Sequence, residues 1–168
     1  MNGFLNKHPK AAALVSILAL VGAVGYLFYF QFSKNRRPEG DLWFYNLETG
    51  QLFPESDLSV PPIDTESGPG TGVRAYVYSC GDCANPDQRY VAYLETMVPQ
   101  AKKAVEGYLK EFGTQTGIGM AIDKFEAGIL VRAPEGIQWV PQMSPEGQRI
   151  IEKGRLGGGC TYPRPCLP

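Results

Sequence analysis

The segment VRAYVYSCGDC (residues 73–83) decides how the rest of this chain is interpreted. Its first seven residues alternate and are rich in β-branched and aromatic side chains, which predicts a β-strand over residues 73–79. The strand leads directly into Cys80, and a second thiol follows at Cys83. A C-x-x-C pair at the exit of a strand can be a redox pair, half of a metal site, or part of ordinary disulfides.

The residues before this strand predict a hairpin and a loop. In DLWFYNLETGQLF (residues 41–53), aromatic and apolar residues flank a turn that contains Gly50, as in a β-hairpin. Trp43, Phe44 and Tyr45 could form a binding surface. We instead expect them to alternate across a strand, with the inward side chains in the core. The Pro and Gly content of residues 59–72 indicates a loop.

The residues after the cysteine pair favour two helices. Asn85 can cap a helix that begins at Pro86, and apolar residues follow at helical spacing to residue 98. A short strand over residues 89–95 is the alternative. The apolar stripe of residues 99–112 predicts the clearest helix of the domain.

The remainder of the chain predicts three short strands, one helix and an irregular tail. The strands are expected over residues 118–123, 128–133 and 137–141, and the helix over residues 145–154. The Gly- and Pro-rich residues that follow are not expected to form regular structure. Residues 41–168 are therefore predicted to form a soluble α+β domain of short antiparallel strands and two to three helices, with a Cys-rich tail over residues 154–168.

The N-terminal region is apolar over residues 11–32. A helix of that length measures about 33 Å and could cross a bilayer core of about 30 Å. The prediction is an N-terminal tail (1–10), a transmembrane anchor (11–33) that contacts the lipid bilayer through residues 11–32, and a linker (34–40). A cleaved signal peptide and a buried core helix are the alternatives. Because a short N-terminal tail usually stays inside, we expect a single-pass protein with an extracytoplasmic domain.

Composition excludes several functional classes. The formal net charge of -1 argues against a nucleic-acid partner, which requires a basic surface. His8 is the only histidine of the chain, so residues 41–168 contain no imidazole for a Ser-His-Asp triad, a Cys-His pair or an HExxH zinc site. No P-loop motif occurs in the sequence.

The four cysteines, Cys80, Cys83, Cys160 and Cys166, carry the most specific chemical signal. A redox pair of Cys80 and Cys83 would need a helix N-terminus to stabilise its thiolate, and Asp82 opposes that charge. Four thiolates could instead hold a structural Zn²⁺. Two disulfides are the third possibility, which an oxidising compartment favours. Both structural alternatives predict that the tail returns to place all four sulfurs together.

The segments WFYNLETGQLF, VPPI, GVRAYVYSCGDC and SPEG give residues 41–168 a resemblance to small single-pass membrane proteins of bacteria. This resemblance implies an anchored chain with a soluble domain outside the bilayer. It implies no activity, cofactor or catalytic residue.

These observations predict a membrane-tethered, non-enzymatic module that binds or scaffolds an unknown protein partner. Its four cysteines would form a structural cluster, either a Cys₄ zinc site or two disulfides. The alternative is a membrane-tethered thiol–disulfide oxidoreductase that uses Cys80 and Cys83.

Overall fold

The chain divides into two compact units, Met1–Glu39 and Gly40–Pro168. A computed structural model describes residues 20, 22, 23, 26, 40–112, 126–157 and 159–168. In the first unit, the four described residues are helical. The predicted tail (1–10) lies outside the described residues, as does all of the predicted linker (34–40) except its last residue.

The predicted fold class, a transmembrane helix followed by a small α+β domain, is wrong. The anchor predicted over residues 11–33 lies outside the described residues apart from four positions. Within the described ranges, no helix combines the length and the apolar composition needed to cross a bilayer. A spanning helix needs about 20 apolar residues. The two α-helices described within residues 40–112 and 126–157 have 14 and 11 residues and carry several charged side chains.

The second unit is dominated by one antiparallel sheet. Its described residues form eight strands in the order β2-β1-β4-β5-β6-β7, and β3 and β8 also pair with β4. The strands are β1 (Asp41–Asn46), β2 (Leu52–Ser56), β3 (Ile63–Thr65), β4 (Gly68–Ser79), β5 (Arg89–Met97), β6 (Ile129–Arg132), β7 (Val140–Pro141) and β8 (Arg164–Pro165). The α-helices among the described residues of this unit are α1 (Pro99–Phe112) and α2 (Pro145–Arg155).

Strand β4 organises the sheet because it pairs along both of its edges. Arg74 of β4 lies opposite Phe44 of β1 on one side and opposite Glu95 of β5 on the other. Further along, Ser79 lies between β5 and Arg164 of β8. Strands β1 and β8 therefore share one edge of β4. The C-terminal tail thus pairs with β4 beyond the first residue of β1, at the opposite end from Asn46.

The hairpin and the strand predicted around this edge are confirmed. Strands β1 and β2 form the hairpin, and Gly50 in its turn has a φ of 72°, which favours glycine. The predicted strand over residues 73–79 is present but begins earlier, at Gly68. The predicted loop over residues 59–72 is therefore wrong from Ile63 onward, where β3 and the start of β4 lie.

The helix predicted after Asn85 is wrong, and the alternative strand is correct. Asn85 does act as a cap, since its side-chain oxygen accepts a hydrogen bond from the Asp87 amide at 3.1 Å, but only a short 3₁₀ turn follows. Strand β5 lies between β4 and β6 and is buried on both faces over most of its length. Apolar residues therefore occupy both odd and even positions of the strand, and this pattern resembles the spacing of apolar residues along a helix.

The two longer helices are confirmed and lie on the same face of the sheet. Helix α1 packs on Met97 and Ile129, and α2 contacts the side of the sheet that carries Val131. The Ser144 hydroxyl caps α2 by accepting a hydrogen bond from the Gly147 amide at 3.0 Å. Of the three predicted strands, the second and third are present in shorter form as β6 and β7. The first, over residues 118–123, lies outside the described residues.

Side-chain alternation along β4 gives the sheet two distinct faces. Arg74, Tyr76 and Tyr78 project towards the helices, and we call this side the helix-covered face. Val73, Ala75, Val77, Leu94 and Cys166 form a buried cluster on the opposite side, the helix-free face. No residue of α1 or α2 belongs to that cluster. Half-buried side chains pack against it instead: Trp43, Tyr45, Leu47, Leu52, Cys83, Val91 and Trp139.

Candidate functional site

The structure brings all four predicted cysteines together as two disulfides. Cys80 is bonded to Cys160 with Cα atoms 5.6 Å apart, and Cys83 is bonded to Cys166 with Cα atoms 5.4 Å apart. Both bridges join the end of β4 to the C-terminal tail. The prediction that the tail returns to the exit of the strand is therefore confirmed.

Backbone pairing holds the tail in register between the two bridges. Pro165 of β8 lies opposite Tyr78, and the Cys166 amide donates a hydrogen bond to the Val77 carbonyl oxygen at 2.8 Å. The prediction of a wholly irregular tail is wrong here because an unpaired edge of β4 supplies carbonyl and amide partners. Cys166 consequently enters the core of the helix-free face.

The two disulfides differ in their surroundings. Only 4% of Cys166 is exposed, and it packs with half-buried Cys83 in the helix-free cluster. Cys80 is exposed and borders a cleft of about 460 Å³. We call Cys83–Cys166 the inner disulfide and Cys80–Cys160 the outer disulfide.

The structure favours the disulfide alternative over the zinc alternative at these sulfurs. Zinc binds cysteine as a thiolate, whereas each of these sulfurs is already bonded to another sulfur. In the described part of the chain, no group of three or more His, Cys, Asp or Glu side chains could hold a metal ion.

The redox alternative meets a related difficulty. A C-x-x-C redox site works by closing a disulfide between its own two cysteines, but Cys80 and Cys83 are each bonded to the tail. A redox pair should also be free of Cys160 and Cys166, whereas each of these is bonded to one of its two sulfurs. A redox enzyme needs a disulfide that its substrate can reach, and the outer disulfide meets that requirement because Cys80 is exposed.

The helix-free face carries two arginines that stack on its two tryptophans. The Arg89 guanidinium carbon lies 5.3 Å from the centre of the Trp43 ring, and that of Arg132 lies 4.9 Å from Trp139. Strand register explains the placement, because Arg132 of β6 lies opposite Leu94 of this face. Both distances are within the range of cation–π attraction.

Neither stacked arginine is neutralised by a carboxylate among the described residues. The ion pairs of this part of the chain involve Arg74, Lys102 and Arg164. The Nε atoms of Arg89 and Arg132 are buried without a hydrogen-bond partner. Both residues are half-buried. Burial lowers the pKa of the Arg132 guanidinium, although Tyr45 nearby opposes that shift.

The helix-covered face instead holds a closed polar cluster. Only 4% of Glu95 is exposed; one of its carboxylate oxygens lies 3.5 Å from Arg74, and the other accepts a hydrogen bond from the Tyr76 hydroxyl at 3.0 Å. Burial raises the pKa of Glu95, while Arg74 and Tyr76 oppose the shift. Tyr76 stacks on Tyr93 with ring centres 4.3 Å apart. Burial is also the main reason why the pKa of Tyr76 is raised.

Sequence reasoning found the cysteines but missed the arginine–tryptophan pairs. The expectation that Trp43, Phe44 and Tyr45 alternate across a strand is confirmed: Phe44 is fully buried, and its two neighbours are half-buried on the helix-free face. Arg89 and Arg132 gave no signal, because each acquires its tryptophan only through strand register.

Comparisons with family models, with curated proteins and with solved structures found no match to this chain. The resemblance to small bacterial single-pass proteins therefore gains no support from them, and functional inference rests on the geometry described above.

Proposed function

We propose that this protein is a non-enzymatic binding module of an oxidising, extracytoplasmic or secreted setting. Its sheet presents the helix-free face to a partner. The observation that carries the proposal is the pair of stacks, Arg89 on Trp43 and Arg132 on Trp139, on a sheet face that neither described α-helix covers.

The two disulfides support the proposed setting. Disulfides form and persist in oxidising compartments, and no free cysteine occurs in the described part of the chain. They also support a rigid binding surface, because the inner disulfide lies within the cluster that underlies the stacked pairs. A surface that is already ordered loses little conformational entropy when it binds.

The composition of the helix-free face supports binding of a macromolecule. Trp, Tyr and Arg are the residues most enriched among those that contribute strongly to protein–protein affinity. Here they are held against a buried apolar base that includes Leu94 and Val77. Rigid aromatic rings offer a large contact area at a small entropic cost.

The proposal is tested by asking whether capture of proteins depends on this face. Full-length wild type, Trp43→Ala, Trp139→Ala and Tyr162→Ala would be immobilised and exposed to the extracytoplasmic fraction of the source cells. Tyr162 is the matched control, because it is an aromatic residue of the tail that is 88% exposed. We expect a protein that wild type and Tyr162→Ala retain and both tryptophan variants lose. If no captured protein shows that dependence, the helix-free face is not a binding surface.

The alternative function, a thiol–disulfide oxidoreductase that uses Cys80 and Cys83, is favoured by one observation. The outer disulfide is exposed at Cys80, beside a cleft of about 460 Å³ that a peptide could enter. An insulin-reduction assay with full-length wild type and the Cys80→Ser/Cys160→Ser variant separates the two functions. A binding module should give the same background rate for both proteins. Catalysis that only the wild type shows would favour the enzyme.

A further inference from the structure

We propose that the partner of the helix-free face is an acidic protein segment, whose carboxylates pair with Arg89 and Arg132 while its neighbouring residues contact the two tryptophans. This inference rests on the proposed function and adds the chemistry of the partner. It can fail while the binding module stands.

Charge complementarity is the first argument. The chain has a formal net charge of -1, yet Arg89 and Arg132 lie on the helix-free face; the exposed Asp41, at the start of β1, is on the same side of its strand as Trp43. Besides the two stacked residues, Arg164 of β8 lies opposite Ser79 on the same side, and its ion pair with Asp82 is long at 4.0 Å and exposed. Exposed pairs of that kind are weak and leave most of the positive field in place. A partner with negative charge is therefore attracted to this face.

The geometry of the stacked arginines is the second argument. A guanidinium that lies on an indole is held in one plane, and its outer N–H groups form a fork that fits a carboxylate. The tryptophan also displaces water from one side of the charge, so an ion pair formed there is screened less than an exposed pair. Binding would give each guanidinium the anionic partner that the described residues do not supply.

Protein carboxylates fit this face better than nucleic acid. Nucleic-acid surfaces need many cations arranged along a backbone, whereas this face offers a few arginines separated by Trp43, Trp139 and apolar side chains. Disulfides are also rare in cytosolic and nuclear proteins, so the two bridges argue against a nucleic-acid partner.

The chain offers a direct optical readout of this face. Trp43 and Trp139 are its only two tryptophans, and both belong to the helix-free face. The probe would be a synthetic peptide of alternating Glu and Gly, with a Gln–Gly peptide of the same length as the neutral control. Titration of the full-length protein should change tryptophan fluorescence with the Glu peptide and leave it unchanged with the Gln peptide.

Variants at the arginines identify the site. Loss of one charge-assisted pair should weaken the affinity about tenfold in Arg89→Gln and in Arg132→Gln. Arg149→Gln is the matched control, because it removes the same charge from an exposed position on α2 and should change affinity less than about twofold. Arg132→Lys keeps the charge without the planar fork and should fall between wild type and Arg132→Gln. Circular dichroism of each variant checks that it is folded.

The outcomes separate this inference from the proposed function. Binding that falls equally in Arg149→Gln and Arg89→Gln would reflect general charge attraction and would overturn the inference. Failure of the Glu peptide to bind, together with arginine-dependent binding of single-stranded DNA or heparin, would also overturn it and leave a binding face for a different polyanion. Failure of all these probes would likewise overturn it, and the capture experiment would then decide on the binding module separately.

Discussion

The two faces of the sheet satisfy their charged residues in opposite ways. On the helix-covered face, Arg74 and Glu95 neutralise each other within a closed cluster that includes the Tyr76 hydroxyl. On the helix-free face, Arg89 and Arg132 lie on tryptophan rings and meet no carboxylate of the described chain. The two faces thus differ in their ion pairs: Arg74 has a carboxylate partner, while Arg89 and Arg132 have none among the described residues, although the Nε atoms of all three are buried without a hydrogen-bond partner.

The faces also differ in what shields their apolar residues from water. Helices α1 and α2 cover one side, and α2 approaches so closely that a Cβ atom at Gly154 would lie 2.2 Å from the Ala92 carbonyl oxygen. The other side depends on flat rings, arginine side chains and the disulfide-linked tail. α-Helices therefore shield the first face from water, whereas half-buried side chains and the disulfide-linked tail shield the second.

Removal of both disulfides should have the largest effect. The chain-entropy relation gives roughly 4.5 kcal/mol for the first bridge, which closes a loop of about 80 residues, and roughly 2.8 kcal/mol for the second, which then closes a ring of only about 11 residues. The variant with all four cysteines changed to serine should therefore lose about 7 kcal/mol of unfolding free energy. Urea denaturation followed by far-UV circular dichroism measures this loss. A loss below about 2 kcal/mol would show that the tail docks without its bridges.

Removal of one disulfide at a time should distinguish the inner bridge from the outer bridge. Each deletion should cost about 3 kcal/mol, because the remaining bridge already closes the long loop. Cys83→Ser/Cys166→Ser should cost about 1 kcal/mol more than Cys80→Ser/Cys160→Ser, since it also places a hydroxyl where buried Cys166 packs. The measurement is urea denaturation of the two variants in parallel. Equal costs would mean that Cys166 contributes nothing to the helix-free cluster.

Matched substitutions of arginine test the electrostatic difference between the faces. Arg74→Met leaves buried Glu95 without its cation and should cost about 3 kcal/mol of unfolding free energy at pH 7. Arg132→Met removes a guanidinium that pairs with no carboxylate of the described residues and should cost about 1 kcal/mol or less, mainly through the lost stack on Trp139. Thermal and urea unfolding of both variants provide the comparison. A greater loss in Arg132→Met would mean that its charge is satisfied within the protein.

The smallest expected effect is a change of stability with pH, which arises from Glu95 on the helix-covered face. Burial raises the pKa of Glu95 in the folded protein. The stability that its protonated form contributes is therefore fully present below about pH 4.3, the pKa of Glu in an unfolded chain, and is lost as the pH rises through the folded pKa. Relative to Glu95→Gln, wild type should therefore lose stability with rising pH in that window, by at most about 1.4 kcal/mol per pH unit.

Tyr76→Phe sharpens this last measurement. The Tyr76 hydroxyl donates to the Glu95 carboxylate and so favours its charged form, which means that its removal should extend the same loss to higher pH. Urea denaturation at a series of pH values compares wild type, Glu95→Gln and Tyr76→Phe. Wild-type stability that rises with pH relative to Glu95→Gln would contradict a raised pKa of Glu95.

Local sequence signals predicted some elements well and others poorly. The hairpin around Gly50 and the helix capped by Ser144 were predictable because short-range hydrogen bonds and backbone preferences decide them. Strand β5 was mistaken for a helix because a strand buried on both faces loses its alternation. The transmembrane anchor was predicted from apolar length, a property that no described helix shares.

By itself, the sequence determined that the four cysteines act together and that the exit of β4 is where the tail returns. Spacing and the length of the loops between the cysteines contain that information, because they decide which crosslinks stabilise the chain. Only the tertiary structure decided which cysteines pair, which of the two bridges is buried, and which arginine lies on which tryptophan. Those outcomes depend on strand register. It places Arg89 by Trp43 although β4 lies between their strands, and it places Arg132 by Trp139 across the β6–β7 pairing.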